Sequence, residues 1–254
     1  MNSRGFLSRF TEPVKPQYGD YALEICSLCT GLIDAVSFNN WGTFVGMQTG
    51  NTVILGLSAA DLPTTQPHAA VTTLASLGSF IIGAHLTFVL ARLTTPTLRR
   101  STIIISFLIQ GALIIISAAL AVTYTVPQDL NGEGSVLDNI LIVAAIPPLA
   151  FQSGMQIATS RILGFNELPT CVLTSSYADI AGDKELWRLR NVKRNRRVAS
   201  AVCLLIGAIC SGWIMRRGAG ADVALWVAAG LKVACAVLLG VFMKGVEQER
   251  EDEV

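Results

Sequence analysis

Two charged side chains stand where charge is expensive: Asp34, inside the first long apolar run, and Lys232, in the middle of the last. A charge at the centre of a membrane-spanning helix costs about 2.5–3.5 kcal/mol on insertion scales, so such residues mark ion pairs, proton or cation switches, or anchors for a solute. Lys232 has about 11 residues of apolar run on either side, which places its amine roughly 15 Å from an interface, beyond snorkelling reach. It therefore needs a partner. Asp34 is the first candidate and Asp179 the second, as a structural ion pair or as part of a site. Around these charges the chain is interrupted twice by polar, Gly-rich sequence, at 31–57 and 154–180. The first interruption carries Asp34, Asn39, Gln48, Thr49 and Asn51, and the second carries Gln156, Thr174 and Asp179. Backbone freed from helical pairing inside a bilayer must find other partners, and Asn, Gln, Ser and Thr supply them. Thr49 ahead of an apolar run suits an N-cap, which would aim free N–H groups and a positive dipole end at an anion or carboxylate. The same polar groups could instead satisfy one another and hold helices together.

The elements that must position these residues follow from composition. Apolar residues make up 52% of the chain, charged residues 15%, and mean hydropathy is +0.53, which excludes an ordinary soluble domain. Net charge is +1, giving no overall field for nucleic acid. Crossing a hydrocarbon core takes about 20 apolar residues. Six runs meet that length: 21–41, 68–93, 101–124, 137–162, 198–215 and 221–243. Two shorter apolar pieces, 49–60 and 170–181, rise only about 18 Å as helices and read as re-entrant half-helices. The expected fold class is all-α: a transmembrane bundle of six spans and two half-helices. A tail, 1–20, precedes a single transmembrane domain, 21–243, and an acidic tail, 244–254, follows it.

Loop charge supports six spans. With both termini cytoplasmic, Arg92, Arg99, Arg100 and the seven basic residues of 184–197 fall inside, while 125–137, with Asp129 and Glu133 and no Lys or Arg, falls outside. Arg216 and Arg217 are the discordant pair. Three spans and a half-helix then occur twice, at 21–124 and 137–243, and an odd number of crossings per unit inverts the second relative to the first. Inverted units with broken helices meeting at mid-membrane are a transporter architecture. Pro147 and Pro148, near the middle of a span, are expected to kink it and free carbonyls. Gly42, Gly46 and Gly50, four apart, suit close packing or a turn.

Other signals exclude more than they propose. Cys26 and Cys29 form a CxxC within an apolar run, without a second pair, so a metal site is not expected. GxSxG, HExxH, P-loop and Rossmann patterns are absent, and the chain holds two histidines, His68 and His85. Neither an enzyme nor a cofactor is expected. Glu24 and His85 read as a headgroup-reaching side chain and an interhelical contact. The basic loop 184–197 suits anionic lipid headgroups, at about 1 kcal/mol per cation.

The segments Gly31-Leu-Ile-Asp34-Ala-Val-Ser37-Phe and Gln48-Thr49-Gly50-Asn51-Thr52, with Gly154-Met155-Gln156 and 170–179, resemble the YoaK-type membrane family, a domain of unknown function with bacterial and fungal members. The resemblance runs from about Tyr21 to Met243 and implies a multi-span membrane protein. In the second half the family pattern reads Met-Gln-Asn and Thr-Gly-Thr, where this chain has Ile157 and Ser175-Ser176. The residues alone favour a carrier or channel-like protein for a small polar or anionic solute, with a membrane scaffold or regulator as the alternative.

Overall fold

The computed structural model describes residues 18–94, 99–128 and 135–242. The expected tail 1–20 up to Gln17, the acidic segment 244–254, Asp129 and Glu133 lie outside the described residues. The helices are α1 (Gly19–Trp41), α2 (Gln48–Ser58), α3 (Ala69–Thr94), α4 (Arg100–Val122), α5 (Ile146–Ile162), α6 (Thr174–Ala181), α7 (Val192–Arg216) and α8 (Ala221–Phe242), with two 3-10 segments, Ser135–Asp138 and Ile140–Ala145, leading into α5. Six elements are long and apolar enough to cross a membrane: α1, α3, α4, the 3-10 lead-in with α5, α7 and α8. At 11 and 8 residues, α2 and α6 are too short.

The distribution of side chains is inverted relative to a soluble domain. Leu86, Leu90, Ile105, Val202, Ile209 and Val241 face outward, whereas Asp34, Asn51, Gln110, Gln152, Gln156 and Lys232 are buried. Only an apolar surrounding makes the outward face favourable, so the molecule is a membrane-type helical bundle.

Packing follows chain order in a regular way. α1 lies along α7 and α3 along α5; α4 packs on α8; α4 also meets α5 as α1 meets α8; α2 rests on α3 and α6 on α7. Exchanging α1–α4 for α5–α8 in order leaves these pairings unchanged, while a smaller contact of α7 with α8 has no counterpart of like extent between α3 and α4. Glycines make the two parallel crossings close. A methyl group on Gly31 would collide with the Leu204 carbonyl and one on Gly207 with that of Leu28; likewise Gly154 meets the Phe80 carbonyl and Gly83 that of Phe151.

Basic residues collect at one end. There Arg196 binds Asp20 (3.0 Å) and Glu167 (2.9 Å), Arg197 binds Asp179 (3.0 Å), and Arg100 donates to the Gly240 carbonyl. At the other end the Trp41 indole donates to the Pro127 carbonyl and His68 meets the Asp138 carbonyl.

Some local expectations are corrected. Pro147 and Pro148 begin α5 rather than kinking a span, because the chain before them is 3-10 helical and the first helical positions need no N–H partner. Ser117 Oγ donates to the Ala145 carbonyl at this join, 2.9 Å away. α7 starts six residues before the predicted run, at Val192, with the Asn191 side chain accepting from Arg194 N as its cap. Gly42, at φ 64°, ends α1 in the left-handed conformation, so Gly42, Gly46 and Gly50 do not form one helical stripe.

Candidate functional site

Lys232 occupies the crossing of α8 with α4, and its side chain is 0% exposed. Gly111 permits this approach: a methyl there would sit 3.2 Å from Val233 Cγ2 and 3.6 Å from Lys232 Cβ. The amine Nζ donates to Gln110 Oε1 and Gln156 Oε1, both at 2.6 Å, and to Cys26 Sγ at 3.3 Å. It lies 5.6 Å from the Phe107 ring centroid. The two glutamines are oriented from behind. Gln156 Nε2 donates to Thr30 Oγ1 (2.9 Å) and Thr170 Oγ1 (2.8 Å), and Gln110 Nε2 donates to Ser106 Oγ (3.2 Å), so both amide oxygens turn toward the ammonium. No carboxylate of the described residues pairs with Lys232. Its expected partner, Asp34, is engaged elsewhere, and the second candidate, Asp179, is exposed in α6 and bound to Arg197.

Asp34 holds the loop between α1 and α2. After α1 the chain turns back at Gly42 and descends to Gly46. There Asp34 Oδ1 accepts from Val45 N and Gly46 N, each at 2.8 Å. Asp34 Oδ2 is buried without a hydrogen-bond partner among the described residues and sits 2.9 Å from where a Gly46 methyl would be. The carboxylate thus fills the amide pocket ahead of α2 that the sequence reading reserved for an external anion. Thr49 is not the cap: α2 begins at Gln48 after Met47, without a side-chain cap, and Thr49 is exposed.

Asn51 closes the loop. Its Oδ1 accepts from Phe44 N (3.0 Å), and its Nδ2 donates to Phe44 O (2.6 Å) and reaches Gln48 Oε1 (2.8 Å) and Ser76 Oγ (3.0 Å). Asn51→Leu strips both ends of this clamp, at an expected cost of about 1–3 kcal/mol. Amide hydrogen exchange at 43–47 should accelerate while α8 is unaffected; unchanged exchange in the loop would refute the assignment.

The second interruption descends from the basic end. Ser160 Oγ holds the carbonyls of Phe165 (3.0 Å) and Leu168 (2.6 Å), and Thr170 and Cys171 then reach Gln156 Nε2, at 2.8 and 3.4 Å. Thr30 stands between the two loops. Its Oγ1 accepts from Gln156 and lies 3.7 Å from Cys171 Sγ, while its methyl lies 3.2 Å from a would-be Gly46 Cβ. One turn of α1 separates Cys26, Thr30 and Asp34, so one helix face links the lysine to the carboxylate.

Of the residues singled out from sequence, Asp34, Gln48, Asn51, Gln156 and Lys232 fall in these clusters. Asn39, Thr49, Thr174 and Asp179 do not. Asn39 is exposed and contacts Met215 Sδ at 3.7 Å, and Thr174 is an exposed first residue of α6. Sequence reasoning missed Gln110, Thr30, Cys26 and Thr170. A lone Gln in the otherwise apolar run 101–124 was the available signal for Gln110; the others depend on tertiary contact. Among the described residues no three His, Cys, Asp or Glu side chains gather to hold a metal.

A family model described as "Protein of unknown function (DUF1275)" matches residues 22–238, which include every residue of both clusters. No curated protein and no solved structure matches the chain.

Proposed function

The chain belongs to the DUF1275 family, and from that premise we propose that it is a multi-pass membrane carrier for a small polar or anionic solute, built from two inverted units. The observation that carries this reading is the meeting of two re-entrant loops, one from each end of the bundle, on either side of Thr30 beside an ammonium that has no carboxylate partner among the described residues. Broken segments converging at mid-membrane on fixed charge are what alternating access requires. The exchange-invariant helix pairings and the paired glycine crossings support inverted units. The basic end would face the cytoplasm, with 184–197 against anionic lipid headgroups.

In this reading Lys232 anchors the anion and Asp34 is a proton or cation switch. When Asp34 binds a proton, its hold on Val45 N and Gly46 N weakens and the first loop is freed. Gln48, Asn51 and Gln156 line the path from the loops. The polar cluster is closed in this form, since Lys232 has three partners and Gln110 and Gln156 are each satisfied by their neighbours.

That closure also favours a second reading, a scaffold whose polar residues only join helices. Flux separates the two. Purified protein in vesicles is tested with chloride, nitrate, phosphate and carboxylates from acetate to palmitate, following anion movement and internal pH. Asp34→Asn should retain the fold and lower the rate by about tenfold or more, a barrier change of about 1.4 kcal/mol. If no anion moves faster than in protein-free vesicles, the scaffold reading stands and the carrier reading fails.

A further inference from the structure

A cleft of about 530 Å³ opens toward the bilayer between α3, α4 and α5, walled by Leu86, Leu90, Ile105, Ile109, Phe151 and Ile162. Its size is that of a small-molecule site. Its walls are apolar, but Ser106 and Thr159 also line it, with Ser106 Oγ 3.0 Å from Thr159 Oγ1. From that pair the contacts continue inward. Gln110 Nε2 donates to Ser106 Oγ, and Gln110 Oε1 accepts from Lys232 Nζ. A polar stair therefore descends from a lipid-facing cleft to the buried ammonium, Ser106 lying about 9 Å along α4 from Arg100 at the basic end and Gln110 about 6 Å deeper.

We propose that this cleft is a lateral entrance for a single-chain amphiphile with an anionic head, a long-chain carboxylate. Its head reaches Lys232 by way of Ser106 and Thr159, and its chain stays among the apolar walls. The inference rests on Lys232 as an anion anchor and names the substrate class of that site. Two observations select the occupant. The ammonium lacks a counter-charge among the described residues, which a carboxylate supplies, and the cleft leading to it is mainly apolar, its hydroxyl residues being Thr87, Thr102, Ser106 and Thr159, of which Ser106 continues through Gln110 to the lysine. A small inorganic anion would have to cross that apolar lining without its hydration shell; an alkyl carboxylate is solvated there by its own chain. The Gln110 amide, held by one contact on each side, is the group displaced when a carboxylate arrives.

The test is binding, independent of flux. The full chain in nanodiscs of zwitterionic lipid is photolabelled with a diazirine analogue of palmitate, and the labelled residues are mapped by mass spectrometry. Label is expected on the α3, α4 and α5 walls, competed by palmitate but not by its methyl ester or by hexadecylamine. Lys232→Met should reduce the competed label by about tenfold, equivalent to about 1.4 kcal/mol of binding. Ile105→Trp fills the cleft from a bilayer-facing position and should do the same without touching the lysine. Label spread equally over the outward face of α8 at Val237 and Val241, or undiminished in both variants, means bilayer lipid contact only and overturns the inference. Loss of binding with flux intact removes this entrance alone, whereas binding without flux removes the carrier reading alone.

Discussion

Gln156→Leu is expected to damage the fold more than Lys232→Met, although the lysine is the charged member of the pair. Removing an acceptor leaves a buried ammonium short of one of its two oxygens, 2.6 Å away in the intact protein, and breaking a buried charge's pairing costs about 3 kcal/mol or more. It also strands Thr170, whose hydroxyl meets the same amide at 2.8 Å. Lys232→Met deletes the charge while keeping an unbranched side chain of similar length, and it leaves behind two neutral acceptors, Gln110 Oε1 and Gln156 Oε1, each stranded at about 1–3 kcal/mol rather than as an uncompensated charge. The double variant should then recover most of the Gln156→Leu loss, a coupling that unfolding in mixed micelles with increasing denaturing detergent reads directly. An additive double variant would show that Gln156 acts through Thr30 and Thr170 rather than through the lysine. Function should follow the opposite order. Lys232→Met folds but loses anion flux, because the group retained at the cost of stability is the one that meets the solute. A scaffold would show no such inversion between stability and activity.

The reason sequence reading paired Lys232 with a carboxylate lies in the kind of information a chain carries. Hydrophobic run length is local, so all six spans and both short helices were legible, and α2 and α6 start one and four residues from their expected positions. Which groups meet across 76 to 206 residues of chain is not local, and those are the separations of Gln156 and Cys26 from Lys232. Charge complementarity suggested Asp34; the fold instead gives the ammonium two amide oxygens and gives Asp34 two backbone amides. Pro147 was misplaced for a related reason. A 3-10 lead-in of six residues, Ile140–Ala145, is as apolar as a helix, so composition alone could not show where α5 begins. Asp34 and Asn51 were legible because a buried carboxylate or amide must bind something. Thr49 and Thr174 were not separable from them, since a hydroxyl on the first turn of a short helix can as easily face lipid as cap the turn.

Gly83→Ala and Gly78→Ala are expected to differ in sign, though both lie in α3 five residues apart. At Gly83 the new methyl points at the carbonyl of Phe151 on α5, and backbone cannot swing aside as a side chain can. The helices must separate, at a cost of about 1–3 kcal/mol and toward the upper end where backbone is opposed. At Gly78 a methyl meets nothing within 4 Å, so alanine adds only its better helix propensity, about 0.5–1 kcal/mol in favour of folding. The same contrast extends across the molecule. Gly154, Gly31 and Gly207 each oppose a backbone carbonyl of the facing helix, so alanine at any of them should resemble Gly83→Ala, with Gly31 matching Gly154 and Gly207 matching Gly83. Two alanines at one crossing, Gly31 with Gly207, should be less than additive because a single separation of α1 from α7 accommodates both; one alanine at each crossing should add. Detergent-titrated unfolding of these variants measures every term. If Gly83→Ala is no more harmful than Gly78→Ala, close helix contact is not what holds α3 to α5. If the matched pairs diverge, the two halves do not use equivalent crossings and the inverted-unit reading loses its support. Equal losses in matched positions, against a Lys232 on α8 that meets the neutral amide of Gln110 on α4, would mean that packing is shared by both halves while the charge belongs to one.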